Sequence, residues 1–316
     1  MFSINDCGLM LEPQEGMRVH DIVSWAAYAE RAGYGYIFRS DHILSTTGLS
    51  EDTNSPECWV TLGAIAARTS RVRFGPMVSP IGFRNPAMLA RMACTLHSYS
   101  GGRLVLSIGA GWNKPEYLAH GYEFPNFSTR LRQLVEAAEI IRPLTEGRRV
   151  DYEGKYFSAH VECSPKPATA EGKIHLVMGG RNPKIVQTII QFADECNIFS
   201  SSDEVMSEII GMVRSSSRKE EIQVSQMGSF VIAESQSELE SRIRRHLRLR
   251  GSQYGDAASK RSQLEQKGVM CGTIEDFVSQ VNRRREMGVE KFYFQILFPE
   301  DRAMVDTLTE TMRSKF

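Results

Sequence analysis

The chain has 316 residues with 38 basic and 38 acidic side chains, so no overall field favours nucleic acid or an anionic membrane, and any bound anion needs a local site. That length supports one large domain, or two small ones, with a substantial core. The six cysteines, Cys7, Cys58, Cys94, Cys163, Cys196 and Cys271, are scattered without a CxxC pair, which argues against structural zinc and a disulfide scaffold.

Reduced cysteines point to the cytoplasm. The first residues show no basic stretch leading into an apolar run, and nowhere do about 18 apolar residues follow one another, so neither a signal peptide nor a membrane span is expected.

In chain order, Phe2 to Leu11 reads as a first strand, interrupted by Asn5, Asp6 and Gly8. Asp21 caps a helix through Arg31, with Gly33 as its stop. Tyr34 to Phe38 is a second strand that runs directly into Arg39-Ser-Asp-His42. Ser55-Pro56 and Asn85-Pro86 each pair a cap with a proline and start helices on either side of a third strand, Val72 to Val78. Leu104 to Ile108 is short, apolar and uncharged, as a strand covered on both faces should be.

Ser128 caps the next helix, which ends at Gly147. Residues 150–168 read as an extended insertion, with Tyr152 to Tyr156 at a hairpin tip. Ile174 to Met178 is strand five, Cys196 to Phe199 strand six, and strand seven lies within Ile222 to Ile232. Ser235 and Glu238 have capping-box spacing. Residues 251–268 are polar and read as a mobile loop; Thr273 restarts a helix, Lys291 to Leu297 is strand eight, and Val305, Leu308 and Met312 mark a closing helix. Eight strands alternating with helices, without a composition break, predict a single-domain (β/α)8 TIM barrel over residues 1–316, with insertions in its strand-end loops. A doubly wound open sheet fits the same alternation with fewer units.

In a barrel, ligands meet the C-terminal strand ends. Four such ends are Asp41-His42, Met77 to Pro80, Gly109 to Trp112 and Gly179 to Asn182. Gly109 and Gly111 form a tight turn beside the flat surface of Trp112, which suits a phosphorylated aromatic ring system; the same glycines also serve a plain strand exit. A Rossmann loop fits less well, because the third glycine is missing. Gly179-Gly180 ahead of a proline-started helix offers backbone N–H groups to a phosphate, and Arg181 adds charge, unless this is only a strand-to-helix turn. His42 is the acid/base candidate, against a structural role as a hydrogen-bonder. No HxH pair or HExxH helix supplies a hydrolytic metal site.

Ser40-Asp-His42, Ala66-Ala-Arg-Thr-Ser-Arg71, Phe83-Arg-Asn-Pro86, Ser100-Gly-Gly-Arg103, Gly109-Ala-Gly-Trp112 with Glu116-Tyr117, and Met178-Gly-Gly180 recur in order. Together they resemble the bacterial-luciferase-like flavin oxidoreductases, with an echo at Cys271-Gly-Thr273 and Gly288-Val289. The Gly-Ala-Gly-Trp form is most similar to the branch using the deazaflavin coenzyme F-420, with FMN as the alternative. The resemblance implies a ring at the barrel mouth held by Asp41, Met77, Val78, Gly109, Ala110, Gly111 and Trp112, and a phosphate near Gly179, Gly180 and Arg181. It also implies a cis peptide at Met77-Val78, a homodimer, a small-molecule substrate, and hydride transfer with His42 moving the proton.

An FMN monooxygenase fed by a separate reductase, and a non-catalytic flavin-binding barrel, are the competing expectations. Sugar-phosphate dehydrogenases of the F-420 branch have a glutamate where Trp112 stands, which speaks against such a substrate. Loops 44–54, 113–127 and 251–268 are expected to decide the substrate. Lys173, Arg181 and Lys184 around strand five are expected near the anionic tail of the deazaflavin, and Lys260 and Arg261 over the tail or the substrate, unless all five are ordinary solvated charges.

Overall fold

The computed structural model describes residues 2–47, 55–162, 173–249, 257–297 and 302–316. Eight parallel strands alternate with helices: β1 Cys7–Leu11, β2 Tyr36–Arg39, β3 Arg73–Pro76, β4 Leu106–Gly109, β5 Leu176–Gly179, β6 Glu195–Phe199, β7 Gln223–Gly228 and β8 Lys291–Ile296. In the sheet β1 lies between β2 and β8, and the order continues through β7, β6 and β5 to β4. The bridge between Phe74 and Leu104 closes the ring between β3 and β4. This is the TIM barrel expected from the alternation of elements.

Every β1 residue is buried, which explains the absence of polar alternation in its sequence. Leu9 and Leu11 join the outer core under the helices. Met10 joins the inner core with Phe38, Met77, Val105, Val177 and Tyr293. The third strand is broken in two: Arg73–Pro76 pairs with β2, Ser79–Pro80 pairs with β4, and the Met77-Val78 peptide between them is cis, as expected.

Several boundaries differ from expectation. Residues Ile4–Asp6 form a 3-10 turn, so β1 starts only at Cys7. The first helix is Val19–Ala32, with Asp21 at its third position accepting from the Arg18 N–H at 2.9 Å. An acid at that position reaches back to the N-cap amide, the reverse half of a capping box. Glu57, rather than Ser55-Pro56, caps the helix Cys58–Arg68. Asn126, rather than Ser128, caps Phe127–Thr145. Asn85 caps the helix that opens at Pro86, as expected.

The run read as strand seven contains two strands. After β7, Phe230–Ala233 leaves the barrel and pairs in parallel with Met270–Thr273. All but Gln223 are buried and Ser229 alone separates the two strands, so no turn signal in the sequence marked the break. Within the stretch read as a mobile loop, Ala257–Gln266 is a helix; Leu264, its one large apolar residue, is buried. The remainder of that expectation, up to residue 256, lies outside the described residues. The hairpin of the insertion pairs Val150–Glu153 with Ser158–Val161, while residues 163–168 are not described. Among the described residues no helix is long and apolar enough to cross a membrane.

Candidate active site at the barrel mouth

The chain leaves β2 through two buried anchors. Arg39 turns outward, where its guanidinium donates to the Thr61 hydroxyl at 2.6 Å and the Pro56 carbonyl at 2.9 Å. Asp41 accepts from Ser79 Oγ at 2.7 Å and is gripped bidentately by Arg84. With its carboxylate so engaged and only 4% exposed, Asp41 braces the loop and leaves its backbone, not its side chain, for a ligand.

His42 is thereby held against Glu116. Its Nδ1 lies 2.9 Å from Oε1 and 3.0 Å from Oε2 of that carboxylate. Glu116 is 1% exposed and sits on the short helix Lys114–Ala119 that opens just past Trp112. Burial works against a charged imidazole, but the hydrogen bond and charge of Glu116 outweigh it and hold the His42 pKa above the ordinary histidine value. The Trp112 ring stands edge-on to His42, with centroids 5.3 Å apart, and is 64% exposed.

The glycine turn is shaped by its neighbours. A Cβ on Gly109 would lie 2.7 Å from Val78 Cγ2. Gly111 has φ of +75°, and a Cβ there would meet the Tyr117 hydroxyl at 2.1 Å. Met77 is buried in the barrel interior and Ala110 in the outer core. Val78 is half-buried, near both Gly109 and Gly179.

The expected phosphate cradle is narrower than the sequence implied. The Gly180 N–H already donates to the Asn197 carbonyl at 3.2 Å, because β5 keeps pairing with β6 one residue past its end. Arg181, whose guanidinium donates to the Ser200 carbonyl at 3.4 Å, and the positive end of the helix Pro183–Phe192, whose Lys184 amide is already capped by Asn182, adjoin the same strand end. Two of the expected tail contacts are engaged elsewhere. Lys173 precedes β5, which places it at the opposite end of the barrel, bonded to Asp194 at 2.8 Å. Arg261 pairs with Glu265 and Asp276.

Sequence reasoning missed a polar chain across the mouth. Glu12, 4% exposed at the end of β1, accepts from Gln14 Nε2 at 2.7 Å and from Gln295 Nε2. The carbonyls of those amides accept from Ser40 and Ser229. A lone carboxylate at a C-terminal strand end was the available signal, the same one that singled out His42. Glu116 was visible only as part of a motif. Among the described residues no cluster of histidine, cysteine or acidic side chains is arranged to hold a metal.

Residues 1–287 match the family model described as luciferase-like monooxygenase. The chain belongs to that family. An F420-dependent glucose-6-phosphate dehydrogenase from Amycolatopsis mediterranei is 34% identical over 138 residues, covering 43% of this chain and 41% of that protein. A 5,10-methylenetetrahydromethanopterin reductase from Archaeoglobus fulgidus is 30% identical over 178 residues, covering 56% and 48% respectively. The chain thus matches less than half the length of these relatives. A solved F420-dependent secondary alcohol dehydrogenase, in complex with an F420-acetone adduct, superposes with a TM-score of 0.80. At 20% identity, covering 99% of this chain and 100% of that one, it supports the luciferase-like barrel as the fold.

Proposed function

We propose that the protein is an oxidoreductase that passes a hydride between coenzyme F-420 and a small organic substrate at the barrel mouth. The observation that carries this reading is the His42–Glu116 pair, set beside the Gly109–Trp112 turn and opposite Gly179 at the C-terminal strand ends. The name of the F420-dependent glucose-6-phosphate dehydrogenase supports the deazaflavin over FMN.

The residues present fit such a ring. Val78 and the bare backbones of Gly109 and Gly179 leave a flat bed for the ring, Trp112 would stand at its edge, and Arg181 would hold the phosphate. When bound, the deazaflavin supplies the carbon that accepts or releases a hydride. The protein holds the substrate carbon in line with it and moves the proton. Because Nδ1 faces Glu116, Nε2 is the nitrogen left for the substrate. As a substrate alcohol carbon gives up its hydride, Nε2 takes the hydroxyl proton and the carbonyl forms; in reverse, Nε2 returns that proton to the oxygen.

Titrating apo-protein with coenzyme F-420 and with FMN, at low and raised salt, tests the cofactor assignment. Tighter F-420 binding that weakens more steeply with salt is expected, since its anionic tail is longer. Turnover is then sought with 2-propanol, glucose 6-phosphate and methylenetetrahydromethanopterin. Tight FMN binding without F-420 binding would assign the chain to the monooxygenase branch and refute hydride transfer to substrate.

A further inference from the structure

We infer that Glu116 is the positioning residue of this site, fixing which ring nitrogen of His42 carries the proton and tying that choice to the shape of the loop after β2. The inference rests on the reading of His42 as the proton carrier, and it goes beyond that reading by assigning a partner and a tautomer.

The geometry is specific. Glu116 Oε1 accepts from the Ile43 amide at 3.0 Å and the Leu44 amide at 3.2 Å, and lies 2.9 Å from His42 Nδ1. Oε2 lies 3.0 Å from the same Nδ1. A carboxylate that accepts from both backbone amides can only accept from the ring as well, so the Nδ1 proton lies toward Glu116 and Nε2 keeps its lone pair or gains a second proton. A carboxylate that holds a catalytic imidazole in one tautomer is the logic of the serine-protease triad, reached here between the ends of β2 and β4.

Among the described residues, Glu12 and Asp41 are the other carboxylates whose charge acts on the ring. Asp41 is bonded to Arg84, and Glu12 to two side-chain amides, so Glu116 is the carboxylate in direct contact with the imidazole. A merely structural Glu116 would hold the backbone of residues 43–44 and leave the ring free to choose its tautomer. The contact with Nδ1 is what separates the two roles.

Glu116→Gln tests it. The amide keeps the size of the side chain and a carbonyl for the Ile43 and Leu44 amides, but turns an NH2 toward Nδ1 and removes the charge. Protein labelled with 15N-histidine, with His42→Gln to assign the resonance, reports tautomer and titration without cofactor or substrate. In the unaltered protein His42 should carry its neutral-state proton on Nδ1 and titrate above the ordinary histidine value. In the Gln variant the proton should move to Nε2 and the midpoint should fall by about one pH unit or more. The pH profile of kcat/KM, with whichever probe substrate turns over, should shift down by the same amount while KM changes less than kcat. Glu116→Asp should restore part of the shift.

An unaltered tautomer and midpoint in folded E116Q would overturn the assignment. If E116Q does not fold, an Nε2–H tautomer or a midpoint below the ordinary value in the unaltered protein would overturn it just as well. A ring that responds to E116Q in an enzyme indifferent to loss of His42 would leave the coupling standing and refute the proposed chemistry instead.

Discussion

Gly109→Ala probes the bed on which the ring is proposed to lie. The backbone at Gly109 does not have the positive φ that would itself penalise alanine, so the cost is steric: the new Cβ would lie 2.7 Å from Val78 Cγ2. Overpacking a close-packed site by one methyl costs about 1–3 kcal/mol. Val78→Ala removes two methyl groups from a half-buried side chain, a loss of about 1 kcal/mol. In the double variant the offending Cγ2 is gone and the next atom, Val78 Cβ, stands at 3.7 Å, an ordinary contact. The two penalties should therefore not add: the double variant should lose about 1 kcal/mol, less than Gly109→Ala alone, a coupling of the size neighbouring residues show. Urea unfolding followed through the three tryptophans measures all four proteins. Affinity for F-420 should fall in every variant, because the wall is either displaced or missing. Penalties that sum within error would refute the contact between Val78 and Gly109 as the determinant of this turn.

Replacing His42 with alanine should lower turnover by about a hundredfold or more while F-420 still binds; unchanged turnover with only thermal stability lost would make it structural. Asp194 gives a pH-dependent prediction. Burial would raise its pKa, but Arg142, Lys173 and the Leu176 amide hold it down at about 2. Stability from this group is fully present above the ordinary carboxylate range and is lost as pH falls through about 2. Asp194→Asn should thus cost about 2 kcal/mol at neutral pH, with the gap to the unaltered protein closing below pH 4 in urea titrations.

The architecture was legible because parallel strands buried on both faces leave apolar runs, as Tyr34 to Phe38 and Leu104 to Ile108 do, and because Asn85-Pro86 marks a helix start from local chemistry alone. What stayed hidden depends on distance or direction. His42 and Glu116 are 74 positions apart, and no periodicity links a histidine after one strand with a carboxylate on a turn after another. Lys173 was placed correctly along the chain but at the wrong end of the barrel, since charge counting ignores which way a strand runs. The Gly180 amide read as free because its partner, the Asn197 carbonyl, belongs to the neighbouring strand.

The two ends of the barrel divide the work. At the N-terminal end Glu195 opens β6, Gln223 opens β7 and Lys291 opens β8, and Lys291 Nζ donates to Glu195 at 2.8 Å and to Gln223 at 2.7 Å. The Tyr293 hydroxyl adds a 2.8 Å bond to the same carboxylate. Burial opposes the charge on Glu195, yet Lys291 and His175 hold its carboxyl well below the ordinary range. Deleting one member would leave a buried charge without its partner, a costly change with no bearing on chemistry. Above this cluster Met10, Phe38, Val105, Val177 and Tyr293 fill the bore, so among the described residues the mouth has no open route from below. Under the proposed function, water and substrate arrive over the C-terminal rim, and exclusion of water from the ring falls to the segments there. Of those, residues 42–44 are the ones Glu116 holds, so the carboxylate that sets the histidine tautomer also fixes the edge of the opening through which the substrate enters.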